Sequence, residues 1–232
     1  MERVISPDIF GRGLKAIFTG KTPGVDLERI AKIVSLDKKK IYMPIQQHTD
    51  AVTIVDLDLT PRVADAVVTR TKGILIGVQT ADCVPILLYD RVADVVAAVH
   101  AGWRGTASGI LRKTISVLTD RFFSSPARIA IAIGPSIRGC CYSVGDEVIE
   151  VVKKATGKGD FFRAGGGKNC LDLQSANKYQ ALSMGISEKN IWLSRECTHC
   201  LPDKYYSYRF AKGPTGRQGA FIGMGLIHSP CE

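Results

Sequence analysis

The sequence predicts an α+β fold: a mixed, largely antiparallel sheet layered with helices, in a single domain over residues 1–232. Three observations predict it. The middle of the chain is a succession of short apolar, β-branched runs bounded by Gly, Pro or Asp: IYMPIQQ, DAVTIVDLD, ADAVVTR, GILIGVQT, PILLYD and DVVAAVH. The gaps between the last three are too short for crossover helices, so these runs are expected as antiparallel neighbours. Segments on either side carry apolar residues at helical spacing, and helices packed on a sheet are the layer architecture that follows.

Taken in order, Leu27, Ile30, Ile33 and Val34 predict a helix over residues 25–34. After DVVAAVH, apolar Ile110, Leu111, Ile115 and Leu118, with Thr114 as a borderline member, form one stripe of a helix over 106–118, with Thr106 as its N-cap. RIAIAIGPSI reads as a strand and Val144 to Lys154 as a helix. Asp172 opens a helix running to Met184, with Gly185 as its stop. NIWLSREC reads as a strand, and YYSYRF and GAFIGMGLI as a closing strand pair joined by a Gly/Pro loop. There is no internal repeat and no linker-like tract.

Composition narrows the function classes. Hydrophobic residues make up 45% and charged residues 23%, an ordinary globular balance. A chain of this length buries a core without disulfides or metal staples, so a metal is expected to be functional. No apolar run reaches the roughly 18 residues of a membrane span, and MERVISPDIFGRG has no apolar signal region, so a cytoplasmic protein is expected. The net charge of +9 is spread along the chain, with Lys38–Lys40 as its one dense run. Without interleaved aromatics this excludes nucleic acid as the expected partner and leaves small anionic ligands. Seven cysteines without a secretion signal predict free thiols. Adjacent Cys140 and Cys141 are read as packing thiols. Cys197-Thr198-His199-Cys200 is half of a zinc ribbon with no second half in view.

The chemistry-bearing residues sit at strand ends. His48 follows IYMPIQQ, Cys83 lies in TADC between two apolar runs, and His100 ends DVVAAVH within VHAGWRG. In a meander, the ends of the first and third strands share an edge, so Cys83 and His100 converge. Two imidazoles and a thiolate suit zinc with one open position; the same residues are also readable as satisfied core groups. Gly102 and Gly105 permit close backbone approach or positive φ. Arg104 and Arg209 are candidate phosphate ligands, and Trp103 or Tyr142 can stack on a flat ligand. Asp65 and Asp82 can orient a ligand histidine or take a proton, or cap a turn.

Together TADCVPILLYD, AAVHAGWRG, GPSIRGCCYSVGDEV, DLQSANKYQALSMGI and the later CT and SYRF resemble the YfiH-type laccase-domain family, from about Tyr42 to about Met224. The family is also labelled multicopper polyphenol oxidase, and members are described as purine nucleoside phosphorylases. The resemblance implies a zinc ion on His48, Cys83 and His100, with Gln46 matching the first motif beside His48. It implies phosphorolysis of adenosine, inosine and methylthioadenosine, with some adenosine deamination. The partners are then a nucleoside and phosphate, with neither nucleic acid nor membrane, in a monomer or homodimer. Cys83, His100 and Asp82 become the catalytic candidates, and Gln46, Arg104 and Arg209 the substrate or phosphate ligands. Where the family reads Gln-Val-His-Gly, this chain has Gln46-Gln47-His48-Thr49, which puts the turn around His48 and the substrate preference in question.

Multicopper chemistry is not expected. Each copper draws on roughly two or three imidazoles, and the chain has only His48, His100, His199 and His228. A single copper replacing zinc in vitro stays open. Two rivals remain: a cysteine hydrolase with Cys83 as nucleophile and His100 as base, as in peptidoglycan-precursor editing or by fold likeness to bacterial toxin deamidases, and a non-catalytic zinc-containing binding protein.

Overall fold

Apolar runs with no polar alternate need both faces covered, and the computed structural model, which describes residues 2–11, 13–165 and 168–226, shows how. The strands are β1 (Val4–Ile5), β2 (Leu14–Thr19), β3 (Ile41–Tyr42), β4 (Val52–Ile54), β5 (Ala66–Thr69), β6 (Leu75–Thr80), β7 (Val84–Asp90), β8 (Val95–Ala101), β9 (Ala130–Ile133), β10 (Ser143–Val144), β11 (Phe162–Gly165), β12 (Lys168–Leu171), β13 (Ile191–Leu193) and β14 (Gln218–Met224). The helices are α1 (Leu27–Val34), α2 (Trp103–Ala107), α3 (Ile110–Phe122), α4 (Asp146–Thr156), α5 (Leu173–Ser183) and α6 (Tyr208–Ala211). The strands form two main sheets, ordered β1-β2-β14-β6-β3 and β13-β9-β7-β8-β5-β4, and a small third sheet, β10-β12-β11. Most pairings are antiparallel; β3 with β6, β4 with β5 and β13 with β9 are parallel.

Side chains alternate between two buried layers along each strand, as period-2 geometry requires. Ile76 and Val78 of β6, Leu87 of β7 and Val96 and Ala98 of β8 lie between the main sheets. Their neighbours turn outward: Leu75 packs on Ile30, Ala31 and Val34 of α1, and Ile86, Leu88, Ala97 and Val99 join the core under α3, α4 and α5. The result is four layers, helix, sheet, sheet and helices. No helix among the described residues is long and apolar enough to cross a membrane.

The expected single sheet is therefore corrected to two. β7 and β8 pair antiparallel, with Pro85 opposite His100, but β6 belongs to the other sheet, between β14 and β3. The Thr80–Cys83 segment carries the chain across, helped by Asp82 in the left-handed region at φ 89°. The helix expected over 106–118 breaks at Gly109 (φ 73°). Thr106 is buried inside α2 instead of capping, while Ile110, Leu111, Thr114, Ile115 and Leu118 form the buried stripe of α3. YYSYRF is not a strand. Ser207 caps α6 by accepting from Phe210 N–H, and β14 pairs with β2 and β6.

α5 carries a buried polar stripe. Gln174 donates to Gly134 O, Asn177 donates to Thr106 Oγ1 at 2.9 Å and Leu173 O, and Gln180 donates to Thr106 O and Thr156 Oγ1. The two bonds to Thr106 anchor α2, which carries Trp103 and Arg104. Asn177→Ala should destabilise the protein by about 1–3 kcal/mol, because it leaves buried Thr106 short of a partner; thermal unfolding measures the loss.

Candidate metal centre

His48, Cys83 and His100 come together at the open end of the inter-sheet layer. Each offers one ligand atom, and these atoms all lie within 4.8 Å of one another. Cys83 Sγ is 3.8 Å from His48 Nε2, and the two imidazole rings meet edge to face, centroids 4.8 Å apart. Cys83 and His100 converge as expected, but by the pairing of β7 with β8 and not through a three-strand meander. His100 has the parity of Val96 and Ala98, so its ring points between the sheets, one residue before the end of β8.

Asp65 organises the centre. It is fully buried and its carboxylate fills a nest of three successive backbone N–H groups. Oδ1 accepts from His48 N–H at 3.1 Å and from His100 Nδ1 at 2.7 Å. Oδ2 accepts from Gln47 N–H, Thr49 N–H and Thr49 Oγ1 at 3.1, 2.7 and 2.8 Å. The nest holds His48 at φ 58°, a strained conformation for a non-glycine residue. The Thr49 side chain thus adds a hydroxyl donor to Asp65. Burial opposes ionisation of Asp65, but the bonds from His100 and Thr49 outweigh it and hold the carboxyl well below the usual range. With His100 Nδ1–H donating to Asp65, Nε2 is the nitrogen whose lone pair a metal would take once its proton is released, the arrangement of a metal-binding histidine.

Burial alone would raise the Cys83 thiol; the neighbouring His100 and His48 outweigh it and bring it down to about 6. Burial likewise works against a charged His100, and Cys83 and Asp65 reverse it, raising the imidazole to about 9. The site thus favours a Cys83 thiolate beside a protonated His100; a metal would take the thiolate as it stands and release the imidazole proton. Gly102 explains the glycine of HAGWRG. At φ −74° it needs no special conformation, but a Cβ there would sit 3.0 Å from Cys83 Sγ and 3.2 Å from His48 Cδ2. Gly102→Ala should therefore weaken metal binding by about tenfold, a loss comparable to disturbing an orienting partner. Metal titration against a chromogenic chelator reads this out.

The centre opens into a cavity of about 530 Å³ lined by Gln46, Asp82, Trp103, Arg104, Tyr142 and Arg209 as well as the three ligand candidates. The Arg104 guanidinium lies 4.6 Å from the Trp103 ring centroid and that of Arg209 lies 5.0 Å from Tyr142. Burial pushes the Tyr142 hydroxyl up to about 12, so it is a neutral donor. Gln46 exchanges two hydrogen bonds with the Gln79 backbone, at 2.9 and 2.8 Å, and so fixes the end of β6. Asp82 accepts from Thr198 Oγ1 at 2.6 Å and from Arg209 N–H at 2.7 Å, pinning α6 over the cavity. Sequence reasoning missed Tyr208 and Arg217, which also line it; Arg217 was the one signal available, a cation in the Gly/Pro loop before β14. His199 meets the Phe210 ring edge to face, centroids 5.6 Å apart, and His228 lies outside the described residues.

Fold and site define a four-layered α+β protein with a two-imidazole, one-thiol centre at the mouth of a cationic, aromatic cavity. A family described as multi-copper polyphenol oxidoreductase laccase matches residues 25–225, and the chain belongs to that family. It is 38% identical over 193 residues to adenosine deaminase RL5 from an unknown prokaryotic organism, covering 78% of this chain and 73% of that protein. It is also 38% identical over 195 residues to a purine nucleoside phosphorylase from Aquifex aeolicus, covering 84% and 87%. The crystal structure of YlmD from Geobacillus stearothermophilus superposes with a TM-score of 0.86 at 29% identity, covering 94% of each chain.

Proposed function

We propose that residues 1–232 form one domain that works as a zinc-dependent purine nucleoside phosphorylase on adenosine, inosine and methylthioadenosine, with adenosine deaminase activity. The observation that carries this reading is the convergence of His48, Cys83 and His100 at a cavity bearing Arg104, Arg209, Trp103 and Tyr142; the names of the relatives support it. The donor set fits the ion: two imidazoles and a thiol, one imidazole already oriented by Asp65, with a cavity on the open side. When bound, zinc supplies Lewis acidity toward a phosphate or water oxygen. Copper can take its place in vitro.

The residues do the rest. Arg104 and Arg209 hold the phosphate anion against the sugar, so that its oxygen forms the new bond to C1′ as the bond to the base nitrogen breaks. Trp103 or Tyr142 stacks on the purine, and Gln46 keeps the cavity floor in register. In deamination, water adds at C6 and ammonia leaves. Asp82 is the proposed proton acceptor, since each of its oxygens accepts one hydrogen bond and keeps a lone pair free. Incubation with adenosine, with and without phosphate, tests the proposal: adenine appearing only with phosphate marks phosphorolysis, and inosine in either case marks deamination. If neither product forms, the reading fails.

One observation favours a second reading. Asp65, His100 and Cys83 lie in the order of an orienting acid, a base and a nucleophile. A hydrolase would keep its activity after zinc removal and lose it on alkylation of Cys83.

A further inference from the structure

Away from this cavity centre, the fold collects four cysteines that no step above uses. β13 joins β9 in parallel, so the loops that follow these strands leave the same end of the sheet. A parallel bridge between Ser136 and Cys197 continues the pairing into both loops, with Thr198 N–H donating to Ser136 O at 3.1 Å. The first loop brings Cys140 and Cys141, the second Cys197 and Cys200. Their four sulfurs all lie within 4.8 Å of one another. Cys141 Sγ is 3.2 Å and Cys140 Sγ 3.7 Å from Cys200 Sγ.

We propose that Cys140, Cys141, Cys197 and Cys200 bind a second zinc ion, in a closed tetrathiolate site that clamps the two loops together. Three arguments support it. Zinc–sulfur bonds of about 2.3 Å in a tetrahedron put sulfurs about 3.8 Å apart; Cys140 and Cys141 lie 3.7 and 3.2 Å from Cys200, at or just inside that figure, and no pair of the four exceeds 4.8 Å. The sulfurs are too far apart for a formed disulfide, whose atoms approach to about 2.05 Å. The Arg138 N–H donates to Cys197 Sγ at 3.4 Å, the backbone support that metal-bound thiolates receive.

Four thiols release four protons to solvent as the divalent cation binds, leaving a dianionic site; the cavity beside Cys140 and Cys197 is lined by Arg195 and by Arg138, the latter paired with Asp172 at 2.9 Å. The CxxC that looked like half of a zinc ribbon thus finds its other half in a vicinal pair. The clamp reaches the first centre mechanically. Tyr142 follows Cys141 directly, and Thr198, between Cys197 and Cys200, donates to Asp82. This zinc would hold one wall of the nucleoside cavity without touching its chemistry.

The experiment is metal analysis of the full chain purified under reducing conditions. Wild type is expected to carry two zinc ions per chain. The double variant Cys197→Ser/Cys200→Ser should lose one of them and Cys83→Ser the other. Cobalt-substituted Cys83→Ser should keep the absorption bands of tetrahedral tetrathiolate cobalt, and the double variant should lack them. Should the double variant fail to fold, alkylation of wild type decides: in the zinc-loaded protein Cys140, Cys141, Cys197 and Cys200 should react at least about tenfold more slowly than after chelation. The proposal is overturned if cobalt-loaded Cys83→Ser shows no tetrathiolate bands, if those four thiols react equally fast with and without metal, or if mass analysis finds them disulfide-bonded. Because Cys83→Ser removes only the first centre, failure here is distinguishable from failure of the catalytic reading.

Discussion

Cys83→Ser should abolish adenosine phosphorolysis to within roughly a thousandth of the wild-type rate, the loss expected when several kcal/mol of metal-derived stabilisation disappears. A serine hydroxyl in this place stays protonated at neutral pH and is a poor zinc ligand, so the first zinc should go with it. Stability should change little. Cys83 is partly exposed at a loop between sheets, so with chelator present the melting temperatures of variant and wild type should agree within about 4 °C. The combination separates the readings of this site. With a purely structural zinc there would be no turnover to lose, and chelation would by itself drop the melting temperature of wild type sharply. A cysteine hydrolase would lose activity in Cys83→Ser but keep it when zinc alone is stripped from wild type. Unchanged zinc content together with unchanged turnover in the variant would remove the basis of the proposed function.

Much of this architecture is legible in the sequence because burial imposes a period. The stripe of Ile110, Leu111, Thr114, Ile115 and Leu118 is the buried face of α3, and DVVAAVH pairs with PILLYD as its short turn requires. What fails is information the period does not carry. A strand buried on both faces, such as β6, reads the same in either sheet, so its assignment beside β7 could not be made from pattern alone. The aromatic run at Tyr205–Phe210 favours a strand by propensity, but the Ser207 cap and the Asp82 carboxylate at Arg209 N–H make a helical turn of it. Gln174, Asn177 and Gln180 have the look of a solvent face and are fully buried.

The site divides along the same line. His48, Cys83 and His100 are legible as strand-end ligand candidates, and motif resemblance selects them. The four-cysteine cluster is not, since its halves meet only through the parallel register of β13 on β9, a tertiary fact. Asp65 is an intermediate case. A carboxylate ahead of a strand suggests an orienting group, but only the turn geometry shows it gathering three backbone donors, a hydroxyl and an imidazole.

That gathering makes Asp65→Asn the sharper test of how the centre is built. The substitution is nearly isosteric, yet every group facing the carboxylate is a donor. An amide can turn its oxygen toward Gln47, Thr49 and the Thr49 hydroxyl, which places its NH₂ against His48 N–H and His100 Nδ1. His100 must then accept at Nδ1, which moves its proton to Nε2, the nitrogen proposed for the metal. Two losses should follow together. Removing the charge from a fully buried nest should cost about 3–5 kcal/mol, a fall of roughly 10 °C or more in melting temperature. Zinc affinity should fall by about 10- to 100-fold, the usual effect of removing a histidine's orienting carboxylate. Thr49→Gly, which deletes one donor while leaving the carboxylate in place, should cost only about 1 kcal/mol and spare zinc binding. If Asp65→Asn instead melts and binds zinc like wild type, with His100 nitrogen shifts unchanged, then Asp65 does not set the tautomer and the centre is assembled by its ligands alone.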